Sequence, residues 1–194
     1  MIPLKLLVAL LFIAAFAQGE TFRIYELEMP TRFYEANNLG APLPPEPDEN
    51  GVILLEPVDL EAKAKVALGL IGHNEVTVNA YATLKRQNDG QWSIDQTYQL
   101  DYEMQFEEST SKPLVKTEQI GLQASIQQTD VAYDIYFSHR RLLRWTSLGK
   151  NLFPLVTSRE INSNAIIKSA VLIGGLTSND VTTAIIIERV TDVQ

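Results

Sequence analysis

The chain contains no cysteine and only two histidines among its 194 residues. Without cysteine there can be no disulfide and no thiol nucleophile, so the fold must be held by its core or by association with other chains. His73 and His139 lie far apart in sequence, which falls short of the ligand spacing of a zinc site. We interpret each histidine as an ordinary surface or turn residue, and we predict no metal and no cofactor.

Basic residues are also scarce, since 16 Lys and Arg face 24 Asp and Glu for a net charge of −8. That charge argues against a general binder of nucleic acid or of acidic membranes, because either would need a basic surface. Serine-hydrolase, phosphate-binding and calcium-loop motifs are missing as well. Acidic side chains such as Asp95, Asp101 and Glu103 alternate along a predicted strand, which is typical of a solvated strand face. The sequence therefore predicts a protein that is not an enzyme.

Only one long apolar run occurs, at residues 6–17, and it follows the single positive charge of Lys5. The run is too short to span a bilayer comfortably, and it ends in the small residues Ala15 and Ala17. These are the parts of a secretory signal peptide at residues 1–17, with an uncleaved anchor as the alternative. We expect the mature protein to begin at Gln18 and to be exported to the periplasm or outer membrane of a bacterium, because an exported chain without disulfides suits that compartment.

Four of the nine prolines fall within residues 35–50, a stretch that ends in acidic residues and has no apolar period. Proline cannot donate to a strand ladder, so we predict an exposed, extended linker there. A short N-terminal strand segment, residues 18–34 with its strand at 21–27, precedes the linker. A single β-rich domain, residues 51–194, follows it.

From residue 51 onward, apolar and polar residues alternate with a period of two, which is the pattern of a half-buried strand. Only residues 60–70 have the composition of a short helix. The sequence predicts a mostly β protein of antiparallel sheets, arranged as a sandwich or a barrel, with at most one short helix. Turn signals lie at 88–90, at Gly174 and Gly175, and at 178–180. Predicted strands cover residues 76–84, 92–106, 120–126, 131–137, 165–173 and 181–190.

One basic cluster stands out against the acidic background. It consists of His139, Arg140, Arg141, Arg144 and Lys150, with Leu142, Leu143 and Trp145 between them. One hypothesis is a contact with anionic lipid headgroups or an acidic partner, with Trp145 as the interfacial anchor. The other is a loop at a strand end whose arginines pair with the chain's excess carboxylates. We favour the second, because surface ion pairs need no special purpose.

The C-terminal part carries an ordered set of motifs: Pro154 and Arg159, a strand, the sequence Ile173-Gly174-Gly175-Leu176, and a final aliphatic strand. This set resembles the end of the secretin domain, the outer-membrane channel module of type II and type III secretion systems and of type IV pili. Residues 120–137 are more loosely similar to the strand pair that precedes the proline in that family. The resemblance begins at about residue 113.

The resemblance implies a secretin-like sheet and a small component of an outer-membrane secretion or pilus machine. It also implies self-association or contact with other envelope proteins, and contact with the outer membrane. The alternative hypothesis is a soluble periplasmic β-sandwich or barrel that serves as a binding or interaction domain without catalytic activity. A hydrolase on a β-scaffold ranks last, because neither its nucleophile nor its base can be named.

Overall fold

The computed structural model describes residues 20–40, 59–104, 114–149 and 151–191. The predicted signal peptide, residues 41–50 of the predicted linker, Phe106 and Lys150 lie outside the described residues. Eight antiparallel strands dominate the described part, which confirms the predicted mostly β class. The strands are β1 (Glu20–Pro30), β2 (Thr77–Arg86), β3 (Trp92–Met104), β4 (Leu114–Gln128), β5 (Tyr133–Leu148), β6 (Asn151–Ala165), β7 (Ala170–Ser178) and β8 (Val181–Thr191), and the helices are α1 (Thr31–Ala36) and α2 (Leu60–Gly69).

The strands form one nearly closed, barrel-like sheet in the order β6-β5-β4-β3-β2-β1-β8-β7. The edge strands are β6 and β7. β2 and β3 pair only through Lys85 with Ser93 and Arg86 with Trp92. The sheet is therefore two four-stranded halves that share a corner, and their inner faces pack on each other.

β1 lies at the centre of its half, between β2 and β8. Its pairing with β8 runs along the whole strand, from Glu20 opposite Thr191 to Pro30 opposite Val181. Such a strand is buried on both faces, which its sequence satisfies with Phe22 and Ile24 on one face and apolar residues on the other. Residues 20–30 thus belong to the same folded unit as the rest of the described chain.

Two apolar cores hold the fold. The inner core lies between the two halves, where the Phe22 ring packs edge-on against Trp92 at 5.0 Å and Tyr133 at 5.4 Å between ring centroids. The outer core lies between β1, β7 and β8 and the two helices. It contains Leu27, Met29, Tyr34, Leu39, Ala64, Ala67, Ala170, Leu172, Ala184 and Ile186.

The predicted helix is confirmed as α2. The Asp59 carboxylate accepts a hydrogen bond from the Ala62 N–H at 2.9 Å, which caps the helix, and Ala64 and Ala67 pack against the sheet. α1 is a second helix, of six residues, which is too short for an apolar period and which the sequence pattern does not predict. It follows β1 directly, where the Thr31 N–H donates to the Asp180 carbonyl at 2.8 Å.

The Gly174 and Gly175 pair does not form the turn between the last two strands. That turn is made by Asn179 and Asp180, both with positive φ, while the glycines lie inside β7 at a bulge between Ile173 and Leu176. Gly174 has φ +73°, a conformation that suits a residue without Cβ. The strand predicted at 165–173 is therefore displaced to 170–178, and residues 151–165 form β6 instead.

Gly175→Val is expected to destabilise the fold by about 2 kcal/mol through overpacking. A Cβ at position 175 would lie 2.7 Å from the Tyr34 hydroxyl oxygen. Tyr34 cannot easily move, because it is buried and donates to the Leu39 carbonyl at 2.9 Å. Burial also raises the pKa of Tyr34. Chemical denaturation of the variant beside Gly69→Val, whose Cβ would meet nothing within 4 Å, measures the effect. Equal losses in the two variants would contradict it.

Candidate functional site

A fully buried carboxylate, Glu26, lies on the inner face of the sheet. Its Oε2 is 2.6 Å from His139 Nδ1, and its Oε1 accepts a hydrogen bond from Arg159 Nη1 at 2.7 Å. A buried carboxylate is strongly unfavourable unless it is paired and hydrogen-bonded. Both oxygens of Glu26 are paired here, by groups from β5 and β6.

A second carboxylate, Glu28, extends this arrangement toward solvent. Glu28 Oε2 accepts from Asn79 Nδ2 at 2.5 Å and from Arg159 Nη2 at 3.5 Å. Arg141 Nη1 donates to Asn79 Oδ1 at 2.6 Å, while its Nη2 lies 3.8 Å from Glu28. These contacts link six side chains from four strands into what we call the interior charge network: Glu26, Glu28, Asn79, His139, Arg141 and Arg159.

Strand periodicity and register place the network. On β5, Phe137 and His139 share the inward face, because residues two apart along a strand point the same way. Phe137 pairs with Ile161 of β6, and His139 pairs with Arg159. The inner face of β5 and β6 is therefore apolar at Phe137 and Ile161 and polar at the next inward positions, His139 and Arg159. The inner face of β1 changes in the same way from Ile24 to Glu26.

The interpretation of His139 as an ordinary surface or turn residue is wrong. Its side chain is only 11% exposed, lies in the middle of β5 and contacts the buried carboxylate of Glu26. His73, in contrast, is an exposed turn residue whose ring stacks on Phe33 at 4.7 Å between ring centroids. The two histidines therefore occupy opposite environments.

A cleft of about 490 Å³ opens beside the interior charge network, between the edge strands β6 and β7. Glu28, Arg141 and Arg159 line it on the network side. The strand walls and the β7–β8 turn supply its other lining residues, which are Leu143, Thr157, Ser158, Leu176, Thr177, Ser178, Asn179 and Val181. The cleft is within the size range of small-ligand pockets, about 300–1,000 Å³.

The basic cluster is not a loop at a strand end, because residues 139–145 all lie within β5. The arginines of this strand have different surroundings. Arg140 pairs with Glu118 of β4, with 2.5 Å between Nη2 and Oε2, and Arg141 joins the interior charge network. Arg144 and Trp145 are exposed further along β5, and the described part of the chain shows no ion pair for Arg144. Two of the three arginines thus contact carboxylates.

The residues that carry the secretin resemblance divide between two places. Arg159 and Leu176 both line the cleft, with the bulge of Gly174 and Gly175 just before Leu176. Pro154 lies away from them, in β6, where it pairs with Trp145 of β5. Its missing N–H suits an edge strand, where the outer side of the ladder has no partner to receive it.

Two hairpins project beyond the inner core. β4 and β5 pair only from Gly121 opposite Arg140 to Gln128 opposite Tyr133. Beyond Gly121 and Arg140, the β3–β4 and β5–β6 hairpins extend without strand pairing between them. We call these extensions, residues 97–104, 114–120, 142–149 and 151–156, the hairpin arm. Half of the large exposed apolar side chains found in the described residues lie on it: Tyr98, Leu114, Val115, Leu143, Trp145, Leu148, Leu152 and Leu155.

The β5–β6 hairpin is basic as well as apolar. Residues 139–159 contain five Lys and Arg and no Asp or Glu, in a chain whose net charge is −8. Near its end, Leu148 is 73% exposed, Leu152 is 56% exposed and Trp145 is 42% exposed. Tyr102 of the other hairpin contacts this one, with its ring 6.5 Å from Trp145 and 6.4 Å from Phe153 between centroids.

Comparison with known proteins does not assign the chain to a family. No family model matches it, and no curated protein matches it. Among the described residues, no group of three or more His, Asp or Glu side chains is placed to hold a metal ion. In the same part of the chain, no helix has the length and apolar character needed to cross a membrane.

Proposed function

We propose that this chain is an exported bacterial β-protein that works at the cell envelope as a small, secretin-like component of an outer-membrane secretion or pilus machine. The observation that carries the proposal is the end of the β5–β6 hairpin, where Trp145, Leu148 and Leu152 are exposed within a stretch free of Asp and Glu. Several large apolar side chains exposed near the end of one hairpin provide a surface that can contact a membrane or another protein.

The chemistry of this hairpin suits an anionic lipid surface. Tryptophan favours the headgroup level, and a Lys or Arg near an anionic surface contributes about 1 kcal/mol. On this hairpin the exposed Arg144 beside Trp145 provides that attraction, whereas Arg140, Arg141 and Arg159 contact carboxylates of the chain itself. The acidic remainder of the chain is repelled by the same surface, so the charge distribution favours contact through the hairpin alone. This orientation would leave α2, which packs against β7, on another part of the molecule.

The free edges of the sheet support self-association. No strand pairs with the outer edges of β6 and β7 within the described residues, and such edges readily pair with another chain. The alternative function, a soluble periplasmic binding domain, is supported by a different feature. That feature is the cleft, whose lining combines two arginines with hydroxyl and apolar side chains.

Flotation with lipid vesicles tests the proposal. The mature chain is expected to float with vesicles containing anionic lipid and not with purely zwitterionic ones. The double variant Leu148→Ser, Leu152→Ser should lose at least about tenfold in affinity, because each buried leucine contributes about 1.5–3 kcal/mol and a tenfold change needs 1.4.

The control is Val131→Ser, which removes an apolar side chain that is more exposed than either leucine, at 83%, but lies outside the hairpin arm. It should bind vesicles like the wild type. Size analysis in detergent extracts is expected to show a large species. If the wild-type chain does not bind anionic vesicles and is a monomer in every extract, the hypothesis of an envelope component is excluded. The hypothesis of a soluble binding domain then remains.

A further inference from the structure

We propose that the cleft between β6 and β7 is a binding site for an extended peptide segment that carries a carboxylate, and that Arg141 receives this carboxylate. The site is separate from the hairpin end that carries the proposed function. Two features of the cleft support this assignment: the unequal pairing of its charges and the two strand edges that form its walls.

The two arginines that line the cleft are paired unequally. Arg159 lies 2.7 Å from one oxygen of the buried Glu26 and also donates to Glu28. Among the described residues, Arg141 has only the neutral carbonyl of Asn79 within 3 Å, and the nearest carboxylate there, that of Glu28, is 3.8 Å away. Glu28 is already shared with Asn79 and Arg159. Arg141 is therefore the cation with the weakest charge pairing in the cleft.

Arg141 is also reachable. Its side chain is 37% exposed, while that of Arg159 is 20% exposed. The hydrogen bond to Asn79 uses Nη1, which holds the guanidinium in place and leaves Nη2 with only a long contact. A planar guanidinium that is fixed on one side and open on the other suits a carboxylate, because charge-assisted hydrogen bonds are stronger than neutral ones.

The cleft walls favour a peptide over an isolated anion. Thr157, Ser158 and Arg159 belong to β6 and Leu176, Thr177 and Ser178 belong to β7, and these strands are the two edges of the sheet. An edge strand presents backbone donors and acceptors along its outer side, which an extended peptide satisfies by strand addition. Leu143 and Leu176 add apolar contact for the neighbouring side chains of the peptide.

Calorimetric titration of the full chain with blocked pentapeptides tests the proposal. Acetyl-Thr-Val-Glu-Val-Thr-amide is expected to bind with a dissociation constant below about 1 mM. The counterpart with Gln in place of Glu should bind at least about tenfold more weakly, because a charge-assisted hydrogen bond is stronger than a neutral one. N-methylation of the peptide backbone should weaken binding by a similar factor.

The variant Arg141→Gln should remove the preference for Glu over Gln while keeping a donor for Asn79. Arg140→Gln is the matched control, since Arg140 is the neighbouring residue of β5 and pairs with Glu118 outside the cleft. Thermal melts confirm that both variants are folded. Equal binding of the two peptides to the wild type, an Arg140→Gln effect as large as that of Arg141→Gln, or no binding at 1 mM would overturn the proposal. If acetate alone binds as tightly as the Glu peptide, the strand edges do not contribute to binding, and the peptide part of the proposal is overturned.

Discussion

Arg159→Met is expected to destabilise the fold by about 3–5 kcal/mol, the range measured when one partner of a buried ion pair is removed. The substitution keeps the length of the side chain and removes the donor 2.7 Å from the fully buried Glu26. His139 would then be the remaining partner of that carboxylate. Urea denaturation followed by tryptophan fluorescence measures the loss.

Two further variants decide whether the buried charge is the cause. Arg140→Met removes an arginine whose pair with Glu118 is about one-third exposed, so it should cost no more than about 1 kcal/mol. The double variant Glu26→Leu, Arg159→Met replaces the pair with apolar groups and should recover most of the loss. A double variant no more stable than Arg159→Met alone would show that packing, and not the orphaned carboxylate, is responsible.

Gly121→Ala is expected to cost about 3–4 kcal/mol, which combines a strained backbone with overpacking. Gly121 has φ +122°, and a Cβ there would lie 2.2 Å from the Gln96 carbonyl oxygen and 2.9 Å from Thr97 Cα. Both are backbone atoms of the paired strand β3, so they cannot move aside as a flexible side chain could. The loss should appear as a lower denaturation midpoint with an unchanged denaturant slope.

Gly72→Ala is the control for the backbone part of this effect. Gly72 also has positive φ, at +96°, but a Cβ there would meet nothing within 4 Å. Its loss should stay near 1 kcal/mol. If both alanine variants lose the same stability, the close approach of β3 to Gly121 is not what requires the glycine.

The strand pattern could be predicted wherever one face of a strand is buried and the other is solvated. β3 shows both the strength and the limit of this rule. Its single long strand was predicted correctly over the described residues, and Trp92 and Ile94 pack in the inner core as expected. Tyr98 has the same parity but is 54% exposed, because the hairpin has left the core by that level. The alternating pattern predicts which residues share a face of the strand, but it does not predict how far along the strand that face is buried.

The interior charge network could not be predicted in the same way. Glu26 is 113 residues from His139 and 133 from Arg159 in sequence, so the cluster depends on the register and closure of the whole sheet. A detectable signal was present locally, since Glu26, His139 and Arg159 each continue the inward parity of an apolar strand face. The assumption that charged residues face solvent places them outward, and only the pairing of β5 with β6 and their packing on β1 show that they face inward.

The position of β1 also has a consequence for the order in which the sheet can form during synthesis. A ribosome releases β1 first among the strands and β8 last, yet these two are neighbours along their entire length. The β3–β4 and β5–β6 hairpins can close locally, and β1 can pair with β2. The pairing of β1 with β8 joins residues about 160 positions apart, and closing so long a loop is slow. Until β8 has emerged, one edge of β1 and the apolar residues that pack beside it stay uncovered, which exposes the growing chain to aggregation and makes it a target for chaperones.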